Sequence, residues 1–169
     1  QLLAFLSHLQ REYRYSENTI AAYRNDLSQF LEYVESHSEA KLEEWAAVSE
    51  DDIEAYLSYM KHKDQPYASS TIARKVAAIK SFYNYLTAQG LVDDNPTIDI
   101  DSPKVKKRLP QTLTIAEVDR LMEAPRSGAS PKNLRDVALL NILYETGMRV
   151  TEVVSIQLDD MNLRQGLLS

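Results

Sequence analysis

The stretch Ser16-Glu17-Asn18-Thr19-Ile20-Ala21-Ala22-Tyr23-Arg24-Asn25-Asp26-Leu27-Ser28-Gln29-Phe30-Leu31-Glu32-Tyr33-Val34 decides the fold. Ser16 suits an N-cap, Glu17 sits in the first turn, and apolar residues then recur at Ile20, Tyr23, Leu27, Phe30, Leu31 and Val34. Spacings of three and four stack them on one helical face. The same period continues on both sides. A shorter helix is expected from Leu2 through Leu9, and a third after Ser49 through Ile53, Tyr56, Leu57 and Met60. A fourth starts at Ser69 or Ser70, after Pro66, runs through Ile72, Val76, Ile79, Tyr83 and Leu86, and stops at Gly90, a residue suited to the position after a helix end. Four amphipathic helices with short links read as a compact bundle.

Beyond Gly90 the character changes. Residues 92–111 hold Pro96, Pro103 and Pro110, show no helical period, and gather Lys104, Lys106, Lys107 and Arg108; this reads as a basic linker. A second domain opens at Thr114, whose spacing to Glu117 is that of a capping box ahead of Val118, Leu121 and Met122. The segment from Leu134 to Thr146 is apolar nearly all round, so it is expected to be the buried centre of that domain. Gly147 ends it, a short helix from Val150 to Leu158 is expected next, and 162–168 reads as the start of a strand hairpin. The expected division is 1–91, a linker over 92–111, and 112–169.

Composition excludes several classes of function. The 169 residues suffice for one to two small domains. With 0 Cys there is no disulfide framework and no thiolate nucleophile, and the 3 histidines, His8, His37 and His62, are scattered, so no metal site is expected. The 4 glycines stand too far apart for a phosphate-cradling loop, which removes Rossmann and P-loop nucleotide enzymes. No apolar run approaches the roughly 18 residues of a membrane span. No basic secretory leader is visible, and a cytoplasmic location is expected.

The net charge of −6 conceals an uneven distribution. Residues 1–60 carry 4 basic and 12 acidic side chains, 61–113 carry 9 and 5, and 114–169 carry 6 and 8. On the fourth helix the apolar stripe leaves Thr71, Arg74, Lys75 and Ala78 on the expected outer side, beside Ser70, Ala77 and Ser81. Small residues around a few cations let a helix sit close to a duplex while cations and hydroxyls take phosphate oxygens or base edges. The plainer reading is an ordinary solvated face; for the basic linker it is a spacer kept soluble by charge. Further on, Thr146-Gly147-Met148-Arg149-Val150-Thr151-Glu152 places a guanidinium at a glycine turn between two apolar helices, where it is expected to be rigid and partly desolvated. Its partner is either Glu152, one turn on, or an external phosphate or carboxylate.

These residues resemble a known family. Tyr144 through Val154, continuing to Leu158-Asp159-Asp160-Met161-Asn162-Leu163, is similar to the first catalytic-arginine box of the tyrosine recombinases, usually TGLRxSEL before a D-(I/V)-D-L turn. Ser16 through Leu27 resembles the opening of the family's SAM-like core-binding domain. Ser70-Thr71-Ile72-Ala73-Arg74-Lys75 through Ser81-Phe82-Tyr83 and Asn95-Pro96 resembles its last helix and exit, and Leu109-Pro110 into Thr114-Ile115-Ala116-Glu117-Val118 resembles entry into the catalytic domain. The matches run in order along essentially the whole chain, closest to Xer-type recombinases and phage-like integrases. Met148 for Leu and Thr151 for Ser are conservative departures.

The resemblance implies a mainly α chain: a four-helix SAM-like core-binding bundle, a linker, and the helical beginning of an α+β catalytic domain. It implies site-specific DNA recombination through a 3′-phosphotyrosyl intermediate, with no metal or nucleotide cofactor and with double-stranded DNA and other recombinase protomers, in a tetrameric synapse, as partners. Arg149 corresponds to the first phosphate-binding arginine and Glu152 to its support. Asn18, Thr19, Ser70, Thr71, Arg74, Lys75, Lys80, Lys106, Lys107 and Arg108 are the expected DNA contacts. The family carries its Lys, a His-x-x-Arg element, a further His or Trp and the Tyr nucleophile after this arginine, whereas no Lys, His, Trp or Tyr follows Arg149 here. His8-Leu9-Gln10-Arg11 matches by spelling only, on the wrong side of Arg149. Tyr23, Tyr83 and Tyr144 lie on apolar faces, where packing is expected. The sequence therefore reads as a piece of a larger recombinase, expected to bind DNA weakly at best and to cut nothing. Two other readings stay open: a non-catalytic DNA-binding protein derived from an integrase, and a helical protein-interaction module.

Overall fold

A computed structural model describes residues 1–37, 45–105, 111–128, 130–162 and 164–168, and the chain divides into two compact units, Gln1–Lys107 and Arg108–Ser169. The first unit holds α1 (Leu2–Glu12), α2 (Glu17–His37), a 3-10 turn at Trp45–Ala47, α3 (Glu50–His62) and α4 (Ser69–Ala88). The second holds α5 (Ile115–Glu123), α6 (Pro131–Thr146), α7 (Val150–Ser155), two short 3-10 turns, and a hairpin of β1 (Met161–Asn162) and β2 (Leu167–Leu168). The hairpin is antiparallel, with Met161 opposite Leu168 and Asn162 opposite Leu167. No described helix is long and apolar enough to cross a membrane.

Three of the helix starts show their chemical cause in a side-chain cap. The Ser16 hydroxyl accepts the Thr19 amide at 3.3 Å and opens α2. Ser49 caps α3 reciprocally: its hydroxyl accepts the Asp52 amide at 3.2 Å while the Asp52 carboxylate accepts the Ser49 amide at 2.9 Å. Thr114 and Glu117 make the same capping box at α5, with the Glu117 carboxylate on the Thr114 amide at 2.8 Å. That bond is the main reason the Glu117 carboxyl is held below its ordinary range.

The core of the first unit is rich in aromatic side chains. Phe30, Met60, Phe82, Tyr83 and Leu86 are fully buried, and Phe5 and Trp45 meet Phe82 edge-on at centroid distances of 5.2 and 4.7 Å. The Tyr83 hydroxyl donates to the Trp45 carbonyl at 3.2 Å, and burial pushes its pKa up. Past α4, residues 92–105 have no helix but do not hang free: Val92 and Ile100 enter this core. Asn95 organises the segment, its carboxamide oxygen accepting the Thr97 amide at 3.0 Å and the Thr97 hydroxyl at 2.7 Å. The basic cluster Lys106, Lys107 and Arg108 lies outside the described residues.

The second unit corrects one expectation. α6 spans its predicted segment, but none of its residues is buried, and Tyr144, expected to pack, is 63% exposed. A helix with apolar residues on several sides needs cover on each of them, and among the described residues α5, the 3-10 turn at Ala124–Ser127 and α7 give it only partial contact. Val153 of α7 is the one fully buried apolar side chain described there.

Phe82 joins α4 to α1 and the Trp45 turn, so its truncation tests the first unit's core. Phe82→Ala should destabilise it by about 3–5 kcal/mol in urea unfolding followed by circular dichroism; a loss below about 1 kcal/mol would show that the ring is not buried as described.

Candidate nucleic-acid interface and arginine turn

The contact between α2 and α4 is built around a buried charge. Asp26 is 1% exposed and Lys75 2% exposed. The Lys75 ammonium donates to Asp26 Oδ1 at 3.0 Å and to Gln29 Oε1 at 2.7 Å, while Arg74 Nη1 donates to Asp26 Oδ2. The Tyr67 ring stands 5.5 Å from the same ammonium and 4.1 Å from that of Lys63. Two charges taken out of water are tolerated only when their hydrogen bonds are complete, and here both carboxylate oxygens are occupied.

This geometry overturns the placement of Lys75 and Ala78 on the outer face. Both are buried. Lys75 stands three residues after Ile72 and four before Ile79, at the centre of the buried arc. Its charge serves Asp26, and it is not available to a ligand. Asp26 was missed for the same reason: it lies three residues after Tyr23 and four before Phe30, so a carboxylate within one apolar stripe and a lysine within another were the available signal.

Arg74 remains half-exposed, its side chain 50% accessible, at the edge of a groove of about 410 Å³ between α2 and α4. Asn18, Thr19, Ala22, Ala77 and Ala78 line that groove with it. Three expected contact residues, Asn18, Thr19 and Arg74, are thus brought together among small side chains. Ser70 and Thr71 lie about one turn earlier on α4, whose N-terminus at Ala68 has no side-chain cap. Lys80, six residues beyond Arg74, projects about 120° away around the helix and does not line the groove.

The arginine turn joins α6 to α7. Gly147 adopts φ 66°, ψ 15°, and its amide donates to the Leu143 carbonyl at 3.0 Å. A left-handed residue closes the helix, a conformation costly for any side chain with a Cβ. The Thr146 hydroxyl donates to the Ile142 carbonyl at 2.5 Å and accepts the Met148 amide at 3.2 Å, fixing the chain's exit. Arg149 then occupies the N-cap position of α7. Glu152 holds it twice: Oε2 accepts the Arg149 amide at 2.7 Å, and Oε1 accepts Nη1 at 3.0 Å. The expected pair is present, but the expected desolvation is not, since the Arg149 side chain is 83% exposed. Among the described residues nothing covers it.

Comparison with known proteins gives this geometry a family. Residues 2–90 match the phage integrase N-terminal SAM-like domain, residues 111–169 match the phage integrase family, and the chain belongs to that family. Tyrosine recombinase XerC of Roseiflexus sp. (strain RS-1) is 47% identical over 163 residues, covering 96% of this chain and 50% of that protein. Tyrosine recombinase XerD of Halalkalibacterium halodurans is 40% identical over 168 residues, covering 99% and 54%. The chain spans about half the length of the curated relatives it matches. A crystal structure of XerA recombinase covers 99% of this chain and 53% of that one at 26% identity, with a TM-score of 0.45.

The tie between Glu152 and Arg149 carries a pH dependence. Its carboxyl lies below the ordinary range, chiefly through the backbone bond to Arg149, then through the guanidinium hydrogen bond and charge. A lowered value means that the tie is complete above the ordinary glutamate pKa and is lost as pH falls through the lowered one. A carboxyl-detected NMR titration should place the Glu152 midpoint below about 4.3; a midpoint at or above that value would show the tie to be absent in solution.

Proposed function

We infer that this chain supplies the DNA-clamping unit and the first phosphate-binding arginine of a tyrosine recombinase, an enzyme that cuts and rejoins duplex DNA at specific sites. The observation that carries the reading is the Gly147 turn: a guanidinium tied to Glu152 at 3.0 Å, its other donors facing solvent, in a chain of the phage integrase family. In such a reaction a tyrosine oxygen attacks the scissile phosphorus, and a 5′-hydroxyl leaves as the 3′-phosphotyrosyl bond forms. A 5′-hydroxyl then attacks that bond and frees the tyrosine. Arg149 acts on the charge that gathers on the non-bridging oxygens, and Glu152 is its positioning residue.

Residues 1–91 serve as the core-binding domain, 92–111 as the linker and 112–169 as the start of the catalytic domain. Duplex DNA lies along the groove between α2 and α4, where Arg74, Asn18, Thr19, Ser70 and Thr71 meet it. Lys80, Lys106, Lys107 and Arg108 add phosphate contacts from elsewhere on the chain. The polypeptide from Gln1 to Ser169 binds without cutting, because no tyrosine follows Arg149, and strand exchange belongs to a longer protein acting in the cytoplasm as a tetramer.

Binding by this polypeptide should weaken as salt rises, with the logarithm of affinity falling linearly against the logarithm of salt concentration in fluorescence anisotropy on a labelled 30-base-pair duplex. Salt-independent binding, or none, would sink the reading in favour of an interaction module. In the full-length protein, Arg149→Ala should cut formation of the covalent complex on a nicked suicide duplex by about 10²–10³-fold while duplex binding is retained. An unchanged yield of covalent complex would refute the role given to Arg149.

A further inference from the structure

The Asp26 network has a net charge that its burial conceals. One carboxylate faces two cations, Lys75 inside the core and Arg74 at the groove. Lys75 alone neutralises Asp26, so Arg74 is surplus positive charge anchored to a fixed point. One end nitrogen of its guanidinium is held by Asp26 Oδ2, which orients the planar fork. The remaining donors stand at a groove walled by Ala22 and Ala77. Asp26 itself cannot move: it is 1% exposed, and its other oxygen is bonded to Lys75.

We propose that Asp26 is a positioning residue for DNA recognition, holding the Arg74 guanidinium in the orientation in which it meets the duplex. This rests on the reading of the α2–α4 groove as a DNA interface. A free arginine loses rotamer entropy when it docks, whereas an anchored one has lost most of it in the folded protein. The proposal opposes simple charge counting. An acid beside a polyanion repels it, so counting charges predicts tighter binding when Asp26 is removed; positioning predicts weaker binding.

The discriminating variant is the pair Asp26→Leu with Lys75→Met. It removes one charge of each sign, keeps the volume of the site close to native, and replaces a buried ion pair with apolar groups, a change that folded proteins tolerate. Asp26→Asn alone leaves Lys75 without its counter-charge and serves as the second variant, with circular dichroism checking the fold of each. Affinity for a labelled 30-base-pair duplex is measured by anisotropy in the chain from Gln1 to Ser169, with and without Arg74→Ala.

The expected result is a loss of about three- to tenfold in the Leu/Met variant, the range for ordering one long side chain. That loss should vanish in the Arg74→Ala background, where there is no guanidinium to position. Equal or tighter binding by a folded Leu/Met variant, while Arg74→Ala alone binds weakly, overturns the positioning role and leaves the groove as the interface. A loss of the same size with or without Arg74 also overturns it, because Asp26 then acts through the fold. If Arg74→Ala itself binds like the parent chain, the DNA reading of the groove fails, and the role of Asp26 fails with it.

Discussion

A carboxylate in a hydrophobic core is an obligation the rest of the molecule must meet, and in this chain Asp26 sets it. Breaking such a pair by removing one partner costs about 3–5 kcal/mol in proteins generally, because the survivor keeps its desolvation penalty. The helices α2 and α4 are therefore held in one register, in which Lys75 reaches Asp26 at 3.0 Å and Gln29 at 2.7 Å. Apolar packing alone tolerates small slips; a buried ion pair with both oxygens occupied does not. Arg74 follows from that register, since it is the neighbour of Lys75 and stands on the half-exposed side of α4 at the groove. Surface chemistry at the groove is thus specified by an interior contact.

The second unit solves a related problem on the surface. Arg149 is not buried and gains its order from local backbone conformation and hydrogen bonds. Gly147 in the left-handed region stops α6, the Thr146 hydroxyl fixes the exit, and the N-terminal turn of α7 places Glu152 within reach of both the backbone and the guanidinium of Arg149. A carboxylate that caps a helix and anchors an arginine at once makes orientation a property of the consecutive residues Thr146 to Glu152, without help from a packed interior.

Most of the helical plan was legible because an apolar stripe and its caps are local facts. Ser49 and Thr114 each start a helix, and Gly147 ends one, where their chemistry predicts, and the box from Thr146 to Glu152 contains the pair that its spacing implies. What failed needed a partner from elsewhere. Lys75 reads as a solvated cation until Asp26, 49 positions away in sequence, is known to face it. Similarly, the composition of α6 states that it seeks burial but not what buries it, and the exposure of Arg149 depends on neighbours that a periodicity cannot name. The 92–105 segment, read from its prolines as a linker, also contributes to the first core, because Val92 and Ile100 are buried in it.

The exposed circumference of α6 bears on how the polypeptide is made. Synthesis proceeds from the N-terminus at about 5–20 residues per second, and domains fold as their last necessary residues emerge. The first unit has its full complement once Ile100 is out. α6 emerges afterwards, apolar on nearly every side, with none of its residues buried by the described chain around it. A nascent molecule at that stage is a completed first unit followed by a helix whose apolar side chains are still uncovered. Transiently exposed apolar surface of this kind is what aggregation and chaperones act on in proteins generally.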